Sequence, residues 1–313
     1  MRCLLTAGHD VRVLVRPNSD RRNLERFAVE ISEGDLRNHE SLKHAIQGCD
    51  NLFHVAADYR LWVPDPETMY DININGTRAL IMAAHQEGIK RIIYTSSVAA
   101  LGLNSDGSPA NEETISDISA ITGYYKRSKY LAEQIVKQLT DEHHLPLTIV
   151  NPSAPVGPGD IRPTPTGRII LDTLLNRMPA YVNTGLNIAH VDDIAYGHLL
   201  AYQYGKPGER YILGGDDMSL LQILQAIDEI NGVKRNRISI PISVMLPMAW
   251  CMEKIANLTH SEPRATLDSI RMAKKLMFFS SKKAQHELGY RYRPAHEAIR
   301  DAVNWFKENG YSN

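Results

Sequence analysis

Short apolar runs and amphipathic runs take turns along this chain. VRVLVR (11–16), FAVEISEGDL ending at Gly34-Asp35, DNLFHVAA (50–57), KRIIYTSS (90–97) and PLTIVNPS (146–153) are rich in β-branched and aromatic residues. They are mostly apolar at successive positions rather than at alternate ones, which predicts strands covered on both faces, as in a parallel sheet. Between them, SLKHAIQGC (41–49), the alanine-rich TRALIMAAHQEG (77–88) and YYKRSKYLAEQIVKQLT (124–140) carry helical spacing, and Gly88 closes the second of these. Strands alternating with helices predict an α/β fold with a doubly wound parallel sheet. Its ligand crevice should lie at the carboxyl ends of the strands.

Beyond Pro152 the texture changes. APVGPGDIRPTPTGR, rich in glycine and proline, predicts a loop leaving the sheet. NIAHVDDIA and ERYILGG follow, then a helix near 219–231. The end, SSKKAQHELGYRYRPAHEAIRDAVNWFKENG, has helical spacing on both sides of a loop containing Pro294. The expected division is a sheet lobe of residues 1–155 and 186–215, and a smaller lobe of 156–185 and 216–313.

Composition narrows the possible partners. The 313 residues carry a net charge of −1, so no global field favours nucleic acid or an acidic membrane. Cys3, Cys49 and Cys251 are far apart and form no metal-spaced pair, which predicts a reducing, cytoplasmic setting and no metal. ISVMLPMAWCMEKIANL, from Ile242, is the most apolar stretch. Pro247, Glu253 and Lys254 interrupt it short of the roughly 20 residues a membrane span needs. CLLTAG is too short an apolar run for a signal peptide.

The sharpest chemical motif is Tyr125-Lys-Arg-Ser-Lys129 on the third helix. A spacing of four places Tyr125 and Lys129 on one face. An unperturbed tyrosine titrates at about pH 10, and a nearby ammonium should lower that value. The pair is thus a candidate proton donor and acceptor for a substrate oxygen. Thr95-Ser96-Ser97 ends the preceding strand at the expected crevice, where a hydroxyl could orient the same oxygen. His190-Val-Asp-Asp193 has the residue types of metal ligands, and His143-His144 fits an exposed loop.

With GDL (34–36), HVAA (54–57), NINGT (73–77), YTSSVAALG (94–102), YYKRSK, NPSAPVGPGD (151–160), HVDDIA (190–195) and ERYILGG (209–215), the chain resembles the extended short-chain dehydrogenase/reductase superfamily. That group includes NAD-dependent epimerases and dehydratases and dihydroflavonol 4-reductases. HVAADYRLWVPDP and NPSAPVGPGDIRPTPTGRII look closest to the hopanoid-associated sugar epimerases. The resemblance implies a Rossmann-like lobe for a nicotinamide cofactor and a smaller substrate lobe. It implies Tyr125 as acid/base, Lys129 on the nicotinamide ribose, Ser97 on the substrate oxygen and Asn73 ordering the site. It also implies Asp35 and Leu36 beside the adenine, Ala56 and Ala57 along the cofactor, and Pro152 with Val156 at the nicotinamide end. Tyr59 and Trp62 are candidates for lining the substrate pocket, and Arg168 for holding a substrate phosphate.

In NAD-preferring folds an acidic residue ends the second strand. Here Arg16 stands there, with Arg21 and Arg22 behind it, so NADP is expected over NAD. The implied activity is hydride exchange at an alcohol or ketone carbon of a sugar or lipid-linked sugar, by an epimerase. The alternatives are a dihydroflavonol-reductase-like ketone reductase and a non-catalytic nucleotide-binding relative. A homodimer through 77–88 and 124–140 is the family expectation. The resemblance further implies a first strand and a glycine-rich turn before VRVLVR. MRCLLTAG cannot supply them, because a parallel neighbour needs a crossover of about a dozen residues. LLTAGHDVRVLVR instead predicts a last helical turn running into the second strand, with the sheet left open beside it.

Overall fold

The computed structural model describes residues 1–60, 62–63, 65–259 and 267–311. The first stretch of chain forms α1 (Arg2–Thr6), β1 (Arg12–Val15), β2 (Glu30–Glu33), α2 (His39–Ile46), β3 (Asn51–His54), α3 (Pro66–Tyr70), α4 (Gly76–Gln86), β4 (Arg91–Thr95), α5 (Tyr124–His143) and β5 (Leu147–Pro152). Next come β6 (Ala154–Val156), α6 (Pro165–Leu174), β7 (Ala180–Tyr181), β8 (Gly185–His190), α7 (Val191–Tyr204), β9 (Arg210–Leu213), β10 (Asp216–Ser219) and α8 (Leu220–Ile230). The chain ends with β11 (Ile238–Ser239), α9 (Ile242–Thr259), α10 (Leu267–Met272), β12 (Leu276–Met277), α11 (Lys282–Leu288) and α12 (Ala295–Glu308).

The apolar runs become parallel strands. β3, β4, β5 and β9 form one parallel sheet in that order, in which His54 pairs with Tyr94, Thr95 with Val150 and Pro152 with Leu213. The carboxyl ends of all four strands therefore meet at one edge. β4 and β5 are buried along nearly their whole length because helices cover both faces. On one face α2, α4 and α5 enclose Leu42, Leu80, Ile81, Ala132, Val136 and Leu147. On the other, α7 and α11 cover Ile93, Val150, Tyr211 and Leu213.

β1 and β2 form a separate parallel pair. Among the described residues no strand joins β1 to β3, so the sheet is open at the place where the sequence pattern puts an unfilled strand. Leu14 of β1 and Leu52 of β3 still pack on the first core from either side of the opening. α1 is the helical turn expected before β1. It lies along α7, where Arg2 pairs with Asp192, and the His9 ring meets the edge of Tyr202 at 5.7 Å.

The second lobe has its own sheet, β10-β8-β12, with β6 also paired to β8. Its core lies among α6, α8 and α12, around Ile170, Ile223, Ile227, Ile299 and Phe306. β8 falls inside the 186–215 stretch that the sequence pattern gave to the first lobe, yet its hydrogen bonds go to the second sheet. The chain returns to the first sheet through α7 and β9. His190 makes that turn: its ring accepts from the Asp192 N–H at 3.0 Å, and Arg293 grips Asp193 at 2.7 Å.

Candidate active site

The site is assembled where β4 leaves the sheet beneath α5. Along α5 the buried positions are Ser128, Lys129, Ala132, Glu133, Val136, Leu139 and Thr140. That is one helical stripe, and it turns two charged side chains inward among apolar ones. The Lys129 ammonium donates to the Thr95 carbonyl at 2.8 Å and lies 5.2 Å from the Tyr94 ring. Burial drives its pKa down to about 8 from 10.5, against the pull of Glu133 in the other direction.

Ser97 begins the short turn that follows β4, and its oxygen accepts from the Ala99 N–H at 3.1 Å. The oxygen is thereby fixed while the hydroxyl proton remains free to donate. Ser97 lies close enough to the Tyr125 phenol to favour the phenolate. Burial outweighs it and holds Tyr125 above the ordinary phenol value. This corrects the sequence expectation that Lys129 pulls the tyrosine down. The ammonium is engaged with Thr95, and burial dominates the phenol's titration.

Asn73 lies in a π-type turn, Asp71–Asn75, between α3 and α4, and is buried. Its amide donates to the Asp58 carbonyl at 2.9 Å and to the Ser128 hydroxyl at 2.8 Å, and its oxygen accepts from the Asp58 N–H at 2.7 Å. Ser128 in turn donates to the Tyr125 carbonyl at 2.8 Å. Asn73 therefore ties the loop after β3 to the first turn of α5. A wide turn of this kind re-aims a side chain that a regular helix would direct elsewhere.

Glu133 is absent from the sequence-derived candidates. Its carboxylate is fully buried and accepts from the Ser96 hydroxyl at 2.6 Å and the Asn151 amide at 2.8 Å. It also pairs with Arg210 at 3.0 Å and Lys137 at 3.1 Å. The same Asn151 amide donates to the Ser97 carbonyl at 3.0 Å. Three consecutive residues at the end of β4 are thus held from below: Thr95 by Lys129, Ser96 by Glu133 and Ser97 by Asn151. The signal was in the sequence, since Glu133 continues the spacing of four from Tyr125 through Lys129.

The two histidines behind the site are neutral. Burial takes His54 down to about 3, and its Nε2 meets the Thr77 hydroxyl at 2.9 Å. Burial also lowers His198. Its Nδ1 faces the Ile194 carbonyl at 2.8 Å and must donate there, so Nε2 accepts from the Thr95 hydroxyl at 3.0 Å.

Toward the other end of the crevice, Arg16 is exposed just past β1; Arg37 holds the Asp35 carboxyl below its usual range, and against burial Arg60 does the same for Asp58, with the charge of Arg16 adding to both. Arg21 and Arg22 do not join it. Arg21 pairs with Glu33 and Arg22 with Asp20. Arg37 holds Asp35 at 3.0 Å. Ala56 is exposed and Ala57 half-buried in the segment after β3, open to a ligand. The Leu36 side chain is buried in the first core, where Gly76 alone leaves room for it, so Leu36 can offer a ligand only backbone. Pro152 sits at the end of β5, at the crevice edge.

Val156 ends β6, which has passed to the second sheet, and its side chain lines a cavity of about 210 Å³ with Ile170, Ala302 and Phe306. Tyr59 is exposed and Trp62 half-buried after β3, and Arg168 is exposed on α6 in the second lobe. Next to Tyr125, Tyr124 is exposed and meets Tyr70 edge-on at 6.4 Å.

This geometry agrees with what the chain resembles among known proteins. It belongs to the NAD dependent epimerase/dehydratase family, whose model matches residues 1–214. A Synechocystis protein that carries the name dihydroflavonol 4-reductase is 44% identical over 315 residues, covering 99% of this chain and 91% of that protein. Sterol demethylase protein B of Methylococcus capsulatus is 36% identical over 312 residues, covering 99% and 94%. The crystal structure of gox2253 superposes with a TM-score of 0.90 at 52% identity, covering all of this chain and 94% of that one. The chain is an enzyme of the extended short-chain dehydrogenase/reductase class, with a Rossmann-type α/β fold.

The buried lysine yields a prediction about stability. Its pKa is about 8 in the folded chain and 10.5 when exposed, so between those values the unfolded chain binds more protons. Stability then rises with pH across that window. The urea midpoint of the wild type should gain on that of Lys129→Met as pH is raised from 8 to 10. A gap that shrinks instead would mean that Lys129 is solvated.

Proposed function

We propose that this chain is an NADP-dependent oxidoreductase acting at a ketone or secondary-alcohol carbon, with Tyr125, Ser97 and Lys129 as its proton-handling group. The observation that carries this reading is the meeting of Tyr125 with Ser97 at the carboxyl end of β4, one helical turn from the buried ammonium of Lys129. A bound nicotinamide would supply or accept the hydride. The chain's own part is the proton. In reduction, Tyr125 gives its phenolic proton to the substrate oxygen, and Ser97 donates a hydrogen bond that orients that oxygen. Lys129, held on the Thr95 carbonyl one turn away, is the residue that would hold the nicotinamide ribose. Asn73, through Ser128, and Glu133, through Ser96 and Asn151, keep these groups in register.

The fit to the cofactor is uneven along its length. Tyr125, Lys129 and Pro152 suit the nicotinamide riboside, Ala56 and Ala57 suit its middle, and Arg16 suits a 2′-phosphate. The pyrophosphate would need N–H groups at a glycine turn. Gly8, the first glycine of the chain, stands behind α1 with a φ of +84°, at the wrong end of that helix.

For the substrate, Tyr124 next to Tyr125, with Tyr70 edge-on to it, favours an apolar, ring-bearing ketone over a sugar diphosphate. This agrees with the names of the two relatives. NADPH consumed mole for mole with ketone supports the reductase; product formed with no net consumption supports an epimerase instead. A homodimer through α4 and α5 remains part of the proposal, and a monomeric mass by light scattering would remove it.

Arg16 supplies the cofactor test. Arg16→Ala should raise the Kd of NADPH about tenfold, the size of one charge-assisted contact to phosphate. The Kd of NADH should change less than twofold. Equal losses for both cofactors would take the 2′-phosphate away from Arg16.

A further inference from the structure

α9 is apolar nearly all round, yet it lies on the surface. Ala249 and Ala256 are buried, with Met245 and Met252 half-buried on the same face, and among the described residues α9 packs on α10. The adjoining face presents Val244 at 53% exposure, Met248 at 45% and Ile255 at 59%, with exposed Cys251 in the same row and Trp250 at 53% beside it. Positions 244, 248, 251 and 255 form a continuous helical row. A helix apolar on every side is normally buried, and large exposed apolar patches mark interaction surfaces.

The concentration is local. Of the fourteen large apolar side chains exposed among the described residues, seven lie between Val233 and Leu276. The same segment is basic: from Lys234 to Lys275 the sequence holds eight Lys or Arg and three Asp or Glu, in a chain whose net charge is −1, and of the eight Arg235 and Arg237 are taken up by Asp228. Lys234, Lys254, Lys274 and Lys275 are exposed. The Lys254 ammonium lies 5.8 Å from the Trp250 ring. Of the acids, Glu253 is turned to the Leu267 N–H at 2.7 Å, and Asp268 faces Arg271.

We propose that α9 is an interfacial helix that seats this enzyme on an anionic lipid surface. An apolar row with a tryptophan, bordered by lysines, is the chemistry that enters the boundary between headgroups and acyl chains. The lysines meet the anionic headgroups, and their stems lie along the apolar face. A second copy of the chain would bring like charges together, and a neutral protein groove would leave the lysines without partners. The whole-chain charge hides this surface, because acids elsewhere cancel the local excess.

The placement suits the enzyme. Asp268 of α10 lies beside Gly123 at the start of α5, two residues before Tyr125. Lys126 of α5 reaches Met277 of β12 at 3.3 Å and feels the charge of Lys275. A bilayer under α9 would therefore lie next to the mouth of the site. The docking claim does not depend on what is reduced there.

The test is co-sedimentation of the full chain with vesicles of phosphatidylcholine alone, and of phosphatidylcholine with one quarter phosphatidylglycerol. Binding to the anionic vesicles should be at least tenfold tighter and should weaken with salt. The Val244→Glu/Met248→Glu variant should lose binding more than tenfold while keeping its circular dichroism and thermal midpoint. Lys274→Glu/Lys275→Glu, which leaves the apolar row untouched, should remove the preference for anionic lipid. No sedimentation with either vesicle would overturn the proposal. So would equal binding to both, or a dimer seen by light scattering that Val244→Glu/Met248→Glu dissolves.

Discussion

Tyr125→Phe is expected to lower turnover roughly a thousand-fold, within the range that a positioned general acid supplies. It should leave the Kd of NADPH within about twofold of wild type, because the change removes one oxygen and keeps the ring. The pH dependence follows from the titration of the phenol. Burial holds Tyr125 above the ordinary phenol value, so it stays protonated at neutral pH. Reduction needs the protonated form and should be flat from neutral to mildly alkaline pH. Oxidation of the alcohol needs the phenolate and should climb with pH. Steady-state rates in both directions check this. Equal rates for wild type and Tyr125→Phe would leave Tyr125 with a packing role alone.

The second large effect concerns stability. Glu133→Ala should destabilise the fold by about 3–5 kcal/mol, because it leaves a half-buried Arg210 unpaired and strips Ser96 and Asn151 of their acceptor. Replacement by Gln should be milder, since the amide oxygen can still accept one of those bonds. Burial raises the pKa of Glu133, but Lys137, Ser96, Asn151 and Arg210 together outweigh it and hold the carboxyl below its ordinary value. A depressed carboxylate contributes its stability in full above the unfolded pKa and loses it as pH falls through the folded one. The wild type should therefore lose its advantage over Glu133→Gln as pH drops below about 4.3, the unperturbed value. Urea unfolding at pH 7 and in acid reads both effects. A midpoint shift of less than about 1 kcal/mol for Glu133→Ala would mean that water replaces the carboxylate.

The parts of the fold that were legible before the structure share one physical cause. Buried parallel strands must be apolar on both faces, so VRVLVR, KRIIYTSS and PLTIVNPS announce themselves. Tyr125 and Lys129 were legible because helical spacing is local, and Ser97 because it ends a strand. What escaped depends on distance along the chain. Lys137 is a local partner of Glu133, but Ser96, Asn151 and Arg210 come from β4, β5 and β9, so the neighbours of Glu133 in sequence give no hint of them. The passage of the chain from the first sheet to the second, at one break at Ser153, also has no local signal. Arg21 looked available, but parallel pairing of β1 with β2 brings Glu33 within its reach. The exposed row of α9 was not legible in the most apolar stretch of the chain, since apolar composition does not reveal which face a helix leaves uncovered.

In the proposed reaction Tyr125, Ser97 and Lys129 handle the proton while hydride moves between a nicotinamide and a carbon centre. The most direct measurement follows the label: the chain is incubated with NADPH deuterated at C4 and an aryl ketone, and the alcohol is examined by mass spectrometry. Deuterium on the carbinol carbon from the wild type, and at least a hundred-fold less from Tyr125→Phe, is the predicted result. NADPH binding without label transfer, or label carried equally by both proteins, would contradict it.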